Sequence, residues 1–385
     1  MALYNHAAVW DDKPELWPRG YYTNGHVQVD AEKMSKSKGN FLMMNETVQK
    51  YSCDGTRLAC ADAGDSLEDA NFSREVADNS ILTLFIELNW FKETIAASAG
   101  GSLRDDAADT VFMDKVFDNE INRLSRICDD SYANMKFRDG LKAGFYDMIG
   151  ARDLYRDWCL HSGIPMKKSL ANKWMNHLAL LMTPITPHWS ETVWALLGNT
   201  TFIVKEKYPD FAAEDKVLSR KTKFLMSTLK SARQTVSKAK AKPTEAWFVV
   251  VDEYSQWRKE ALIWMHGQHS DGAFTSTFMA DLKKWVGTLE DKKNVKNVMQ
   301  FASFVKKEVE DVGESAMELT MPYDQKEILS ESKKYIQAQL NLEKFDIVKI
   351  GIDELPPGLN EKGLMNCQPG KPLLFSAGGA KGGKK

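Results

Sequence analysis

Between Ser73 and Gly198, apolar residues recur at three- and four-residue intervals in five successive blocks, and this periodicity constrains the fold more than any other feature. Ile81, Leu84, Leu88, Phe91 and Ile95 share one helical face, and Phe117, Ile121, Leu124 and Cys128 share a second. Phe137, Leu141, Phe145, Met148, Tyr155 and Trp158 mark a third; Leu170, Trp174, His177 and Leu181 mark a fourth, stopped by Pro184. A fifth starts at Pro187 and ends at Gly198, the order in which proline and glycine bound a helix. Each stripe must be buried, and short connections place sequential helices side by side. Residues 73–212 therefore predict a helical bundle.

The flanks read differently. Residues 1–72 begin with a stretch rich in Gly, Pro and aromatics, in which His26-Val27-Gln28-Val29 predicts a short strand. Residues 213–243 form a basic helical linker in which nine Lys or Arg (216, 220, 221, 223, 230, 233, 238, 240, 242) face two acids, ending at Pro243. Residues 244–375 predict a small α+β domain. Its expected strands are Trp247–Val251, Met317–Met321 and Phe345–Ile350; its expected helices start at Tyr254, carry Val298, Phe301, Val305, Val309 and Val312, and run from Ile328 to Leu340. Residues 376–385, rich in Gly and Lys, predict a disordered tail. The fold class is mostly α and multidomain.

Several function classes are excluded. With 51 basic and 53 acidic side chains the net charge is −2, so a nucleic-acid surface must be local. Five scattered cysteines (53, 60, 128, 159, 367) form no CxxC pair, which argues against a disulfide framework or a zinc cage and for a reducing compartment. No metal-ligand set is legible. No apolar run approaches the roughly 20 residues of a membrane span, and the charged start carrying Asp11, Asp12 and Lys13 is unlike a signal peptide.

One stretch is specific: Lys33-Met34-Ser35-Lys36-Ser37, followed by Gly39-Asn40. Two lysines three apart on a small Ser/Gly loop can bring ammonium groups to a polyanion, with hydroxyls and backbone N–H groups filling the remaining oxygens. Phosphoryl and adenylyl chemistry needs positive charge where pyrophosphate leaves. A plain lysine/serine run would more often be a solvated loop. No GxxxxGK[ST] P-loop occurs.

The string resembles the KMSKS signature of class I aminoacyl-tRNA synthetases. Trp17-Pro18, Asn24-Gly25-His26 and Glu32 before it are similar to leucyl-tRNA synthetases of the eukaryotic and archaeal cytosolic type. So are Asp54-Gly55, Arg57-Leu58-Ala59, Ala61-Asp62-Ala63-Gly64-Asp65 and Glu68-Asp69-Ala70-Asn71-Phe72. Pro184, Pro187-His188, Glu191, Trp194 and Pro369-Gly370-Lys371-Pro372 extend the likeness over nearly the whole chain. The resemblance implies that residues 1–72 are the end of a Rossmann-type catalytic core, 73–212 an anticodon-binding-type helical domain and 244–375 a C-terminal extension. It implies ATP-dependent activation of leucine to leucyl-adenylate, transfer to tRNA(Leu), magnesium with the ATP, and a cytoplasmic address. Lys36 would contact the ATP phosphates and stabilise the transition state; Lys33 would support it, with Met34, Ser35 and Ser37 completing the ATP-binding loop. Membership of a multi-synthetase assembly leaves no mark.

The family's HIGH-type motif, leucine pocket and editing insert are absent from these residues: none of the seven histidines begins a His-x-Gly-His pattern. The chain thus looks like the C-terminal part of a longer enzyme, and alone it is expected to be inactive, because adenylation needs several groups fixed at once. The rival class is a non-catalytic tRNA-binding or scaffold protein built from synthetase modules. Lys216, Arg220, Lys223, Lys230 and Arg233 are the candidate tRNA contacts, suited to phosphates rather than bases. His188 reads as a helix-start packing residue, His26 as a strand residue beside the loop, and His266 and His269 as exposed. Asp105-Asp106 and Asp129-Asp130 read as loop or helix-end charges.

Overall fold

The computed structural model describes residues 2–21, 23, 25–239, 242–270, 273–288, 295–359, 364 and 367–377, with side chains 311, 312 and 377 left aside. The chain divides into two compact units: residues 1–110, 117–156 and 165–214, and residues 111–116, 157–164 and 215–385.

The first unit opens with α1 (Ala2–Val9) and a sheet of β1 (Val27–Val29), β2 (Glu32–Lys33) and a third strand reached after α2 (Met44–Tyr51) and α3 (Cys53–Ala63), namely β3 (Ala70–Phe72). The order is β2-β1-β3, with β1 antiparallel to β2 and parallel to β3. The helices that follow are α4 (Arg74–Ala99), α5 (Phe112–Ala133), α6 (Phe137–Leu141), α7 (Met148–Ser162), α8 (Lys168–Met182) and α9 (Pro187–Leu196). Ser73 caps α4 by accepting from the Val76 N–H at 3.4 Å.

The expected bundle helices are present, with one face rotated. On α4 the buried positions are Ala77, Ser80, Leu84, Glu87, Phe91 and Thr94, a strict three-four alternation, while Ile81 is exposed and Leu88 and Ile95 are half-buried. The cause is a distant partner. Glu87 is bound bidentately by Arg152, whose guanidinium packs against the rings of Trp90 and Trp174 at 4.5 and 4.8 Å. A buried carboxylate needs such pairing, and its formation sets the rotation of α4. Burial still pushes the Glu87 carboxyl up, against the pull of Arg152. The third block is helical throughout but carries a π turn over Lys142–Asp147 between α6 and α7. There α5 approaches closely: a Cβ on Gly140 would stand 2.4 Å from the Tyr132 ring, and one on Gly144 would stand 2.4 Å from Cys128 Sγ.

The second unit contains α10 (Lys216–Lys238), β4 (Glu245–Val250), α11 (Gln256–Gly267), β5 (His269–Ser270), β6 (Ala273–Phe274), α12 (Phe278–Gly287) and α13 (Val295–Val312). It continues with α14 (Gln325–Glu331), α15 (Lys333–Leu340), β7 (Lys344–Lys349) and β8 (Leu373–Ala377). β4 is central, parallel to β7 and antiparallel to β8. Leu262, Met265, Phe278, Leu282, Val298 and Val305 share a core among α11, α12 and α13.

Five expectations are corrected here. Met317–Met321 is no strand: Gly313–Met317 is a 3-10 turn that buries Met317, because an alternating pattern supplies no partner strand by itself. The helix expected over 328–340 is two, divided at Ser332, whose hydroxyl accepts from Trp158 Nε1 at 3.3 Å. Ser376 and Ala377 pair with β4 instead of belonging to a tail, and 378–385 lie outside the described residues. His269 is not exposed: its side chain is 2% accessible and its Nδ1 meets Glu314 at 3.0 Å. Residues 213–243, expected as a linker, supply α10, which buries Leu218, Phe224, Leu225 and Leu229 within the second unit.

Candidate active-site loop and nucleic-acid interface

The lysine loop is built on a strained hairpin. Asp30 and Ala31, both with positive φ (50° and 63°), turn β1 into β2, a geometry that favours Asn and Gly and costs a non-glycine residue about 1–2 kcal/mol. Neighbouring groups hold it. The Asp30 N–H donates to the Phe72 carbonyl (3.0 Å), and the Ala31 N–H donates to Asn71 Oδ1 (2.7 Å). The Asp30 carboxylate accepts from the Arg74 backbone N–H at 3.0 Å and pairs with its guanidinium at 2.7 Å. A carboxylate at the first turn of α4 is also favoured by the helix dipole. The hairpin is thereby fastened to β3 and to the start of the bundle.

Lys33 lies in β2, paired with Gln28, so the loop starts one residue later than the sequence suggests. Asn40 closes it: its Oδ1 accepts from the Ser35 N–H at 2.8 Å and its Nδ2 donates to the Lys33 carbonyl at 3.1 Å. Within this clamp the Gly39 N–H donates to the Lys36 carbonyl at 3.3 Å, and Gly39 takes φ +70°, a conformation glycine adopts at no cost. Ser35 and Ser37 hydroxyls share a hydrogen bond of 2.8 Å. Lys36 is exposed, its ammonium 5.6 Å from the Phe41 ring centre, and Lys38 stands 3.7 Å from Glu32. The base is pinned from the other side by Asp69, whose Oδ1 accepts from the His26 N–H at 2.8 Å. A Cβ on Gly25 would stand 2.5 Å from that oxygen. His26 precedes the strand proper and acts through its backbone.

The second helix after the loop, α3, is locked to the bundle. Asp54, buried on α3, accepts from the Trp189 N–H (2.6 Å), the His188 N–H (3.4 Å) and His188 Nδ1 (3.2 Å), satisfying the open N-terminus of α9. Arg57 donates to the carbonyls of Pro184 (2.6 Å) and Ile185 (2.9 Å). Cys53, Asp54 and His188 place ligand-type atoms within 4.8 Å of one another. The N-termini of α3 and α9 both face this point, and the Asp54 oxygens already serve backbone N–H groups, so the field there opposes a cation. Asp106 likewise serves a backbone, accepting from the Ser169 N–H at 2.8 Å.

The basic residues of α10 differ in exposure and in known contacts. Lys216, Lys223 and Lys230 are exposed and seven residues apart, which aligns them along one stripe with about 10.5 Å between successive positions. Arg220 is occupied by the Ser315 carbonyl (3.0 Å) and Glu318 (3.3 Å), and Arg233 is bound to Gln339. Asn40 and Asp30 carry structural roles that pattern reading missed, because each acts through partners fixed only by the fold.

Two family models match: "tRNA synthetases class I (M)" over residues 6–85 and "Anticodon-binding domain of tRNA ligase" over residues 114–246. The cytoplasmic leucine–tRNA ligase of Pongo abelii is 32% identical over 385 residues, covering 96% of this chain. The chain belongs to the leucine–tRNA ligase family. The cytoplasmic enzyme of Saccharomyces cerevisiae is 31% identical across 96% of the chain, and the leucine–tRNA ligase of Aeropyrum pernix 26% across 97%. A leucyl-tRNA synthetase–tRNA–LeuAMS complex from Agrobacterium radiobacter gives a TM-score of 0.41 at 17% identity, over 60% of this chain and 26% of that one. The chain spans about a third of the length of these curated relatives, 32% of the Pongo abelii enzyme. No helix among the described residues is long and apolar enough to cross a membrane.

Proposed function

We propose that this chain supplies the phosphate-handling loop and the tRNA-facing helices of a leucine–tRNA ligase acting in the cytoplasm. Leucine attacks the α-phosphate of ATP through its carboxylate, giving leucyl-adenylate and pyrophosphate; a terminal ribose hydroxyl of tRNA(Leu) then takes the leucyl group and AMP leaves. Magnesium accompanies the ATP phosphates. The observation that carries the reading is the match of 96% of the chain to a leucine–tRNA ligase.

In this reading Lys36 meets the β- and γ-phosphates as charge builds on the departing pyrophosphate. A preorganised ammonium there is worth most where water is displaced. Lys33 adds a second cation from the strand end. Met34, Ser35 and Ser37 shape the loop, and Ser35 and Ser37 have hydroxyls available to phosphate oxygens once their mutual bond opens. The Asn40 clamp fixes the loop's ends while its tip remains free to close, as a mobile catalytic loop requires. Lys216, Lys223 and Lys230 contact tRNA phosphates; Arg220 and Arg233 contribute through the shape of α10 instead.

Leucine-dependent ATP–pyrophosphate exchange tests the catalytic half. In a polypeptide containing this chain and supporting exchange, Lys36→Ala should lower the rate roughly 100- to 1,000-fold, the scale of one lost transition-state contact. An unchanged rate would remove Lys36 from the chemistry. The 385-residue chain alone is expected to give no exchange.

A further inference from the structure

A cavity of about 310 Å³ lies wholly within residues 215–385, between α10, α13 and the turn at Pro369-Gly370-Lys371-Pro372. Its walls are aromatic, with Tyr254, Phe301 and Tyr323 among them. Three features show a built site rather than loose packing. First, the turn is rigidly held: buried Gln325 donates to the Val251 carbonyl at 2.9 Å and accepts from the Gly370 N–H at 2.8 Å. Gly370 itself takes φ +78°. Second, Thr228 on α10 is 5% exposed and lines the cavity, yet its hydroxyl has no hydrogen-bond partner among the described residues. A buried hydroxyl left unpaired is costly and asks for a partner. Third, Lys371 stands at the rim with its ammonium 2.8 Å from the Phe304 ring centre, and it forms no ion pair among the described residues. The protein packed about it lowers its proton affinity to about 8, while Glu308 pulls the other way.

The charges select the occupant. Arg220, Lys223, Lys371 and Glu308 line the cavity, and Arg220 is committed to Ser315 and Glu318. Cations outnumber the one lining carboxylate, Glu308, so an anionic head group is favoured, and between aromatic walls a carboxylate monoanion costs less to desolvate than a phosphate dianion. We propose that this cavity binds a small apolar carboxylic acid, its carboxylate on Lys371, its apolar body among Tyr254, Phe301 and Tyr323, and the Thr228 hydroxyl completing a polar contact. The ligand is independent of the synthetase activity proposed above. Free acids and α-amino acids share this chemistry.

Titration calorimetry of the purified chain with phenylpyruvate, phenylalanine and neutral benzyl alcohol separates the sources. At least one of the first two should saturate, with benzyl alcohol at least about tenfold weaker. A preference for phenylalanine assigns α-amino acids, and a preference for phenylpyruvate assigns free acids. Lys371→Met should weaken binding by at least about tenfold, and the isosteric Thr228→Val by about two- to tenfold, with thermal midpoints near the parent's. At pH 8 binding should also take up protons, read as a heat that varies with buffer ionisation enthalpy. If neither acid saturates, if benzyl alcohol binds equally, or if Lys371→Met binds as the parent does, the proposal is wrong.

Discussion

Replacing Asp54 by alanine tests whether the helix behind the lysine loop is held as described. The carboxylate is buried and accepts the Trp189 and His188 backbone N–H groups at the start of α9. Hydrogen bonds to a charged group contribute about 1.5–3 kcal/mol each, and a buried donor left unpaired carries its own desolvation cost. The 2.6 Å bond to Trp189 should count in full and the 3.4 Å bond to His188 only in part. Loss of the negative charge from the α9 terminus adds about 0.5 kcal/mol. Asp54→Ala should therefore destabilise the first unit by about 3 kcal/mol, which for a unit of this size lowers the thermal midpoint by roughly 6–12 °C. Asp54→Asn keeps one acceptor oxygen and should recover about half. His188→Ala should cost under about 1 kcal/mol, because its ring is 75% exposed and only its backbone N–H is structurally needed. Differential scanning calorimetry of the three variants decides the matter. A midpoint for Asp54→Ala within about 2 °C of the parent would refute the capping argument.

Three further outcomes follow from the bundle. Gly144→Ala sets a methyl 2.4 Å from Cys128 Sγ and should cost about 1–3 kcal/mol by denaturant unfolding, with Cys128→Ala in the same chain restoring part of the loss. Arg152→Met strands Glu87 in the core and should cost about 3–5 kcal/mol, while adding Glu87→Leu should recover most of it. His177 is held down to about 4 by burial, with Lys173 adding to the effect, below its ordinary 6.5. The unfolded chain then binds more protons between those values, so stability present above pH 6.5 is lost as pH falls toward 4. Unfolding free energies from urea titrations at pH 7 and 5 should differ by about 2 kcal/mol on this account, and His177→Gln should remove most of that difference.

Helix existence was legible in the sequence because periodicity reports it directly: Phe117, Ile121, Leu124 and Cys128 are all buried on α5 as their spacing implies. The face of α4 was not, since Ile81, Leu82, Leu84, Phe85 and Ile86 crowd every side of the helix and offer no single stripe. What selects the face is Glu87, and its partner Arg152 is 65 residues away. His269 looked like a polar connection residue for the same reason: Phe274 and Glu314, which enclose it, are brought in by the fold. The lysine loop was readable as a motif, whereas its supports at Asp30, Asn40 and Asp69 act through backbone groups that no spacing rule identifies. For the basic helix, charge counting located α10 but could not tell exposed Lys216, Lys223 and Lys230 from Arg220, which is spent on Ser315 and Glu318.

Binding of tRNA by the purified chain tests the central claim most directly, measured at two salt concentrations with tRNA(Leu) and an unrelated tRNA. Tighter binding of tRNA(Leu), with an affinity that falls as salt rises, is the expected result. Replacing Lys216, Lys223 and Lys230 together should reduce the log–log salt slope by up to about 3. Equal, slope-matched binding of both tRNAs, or no binding of either, would contradict the assignment of these helices to tRNA(Leu).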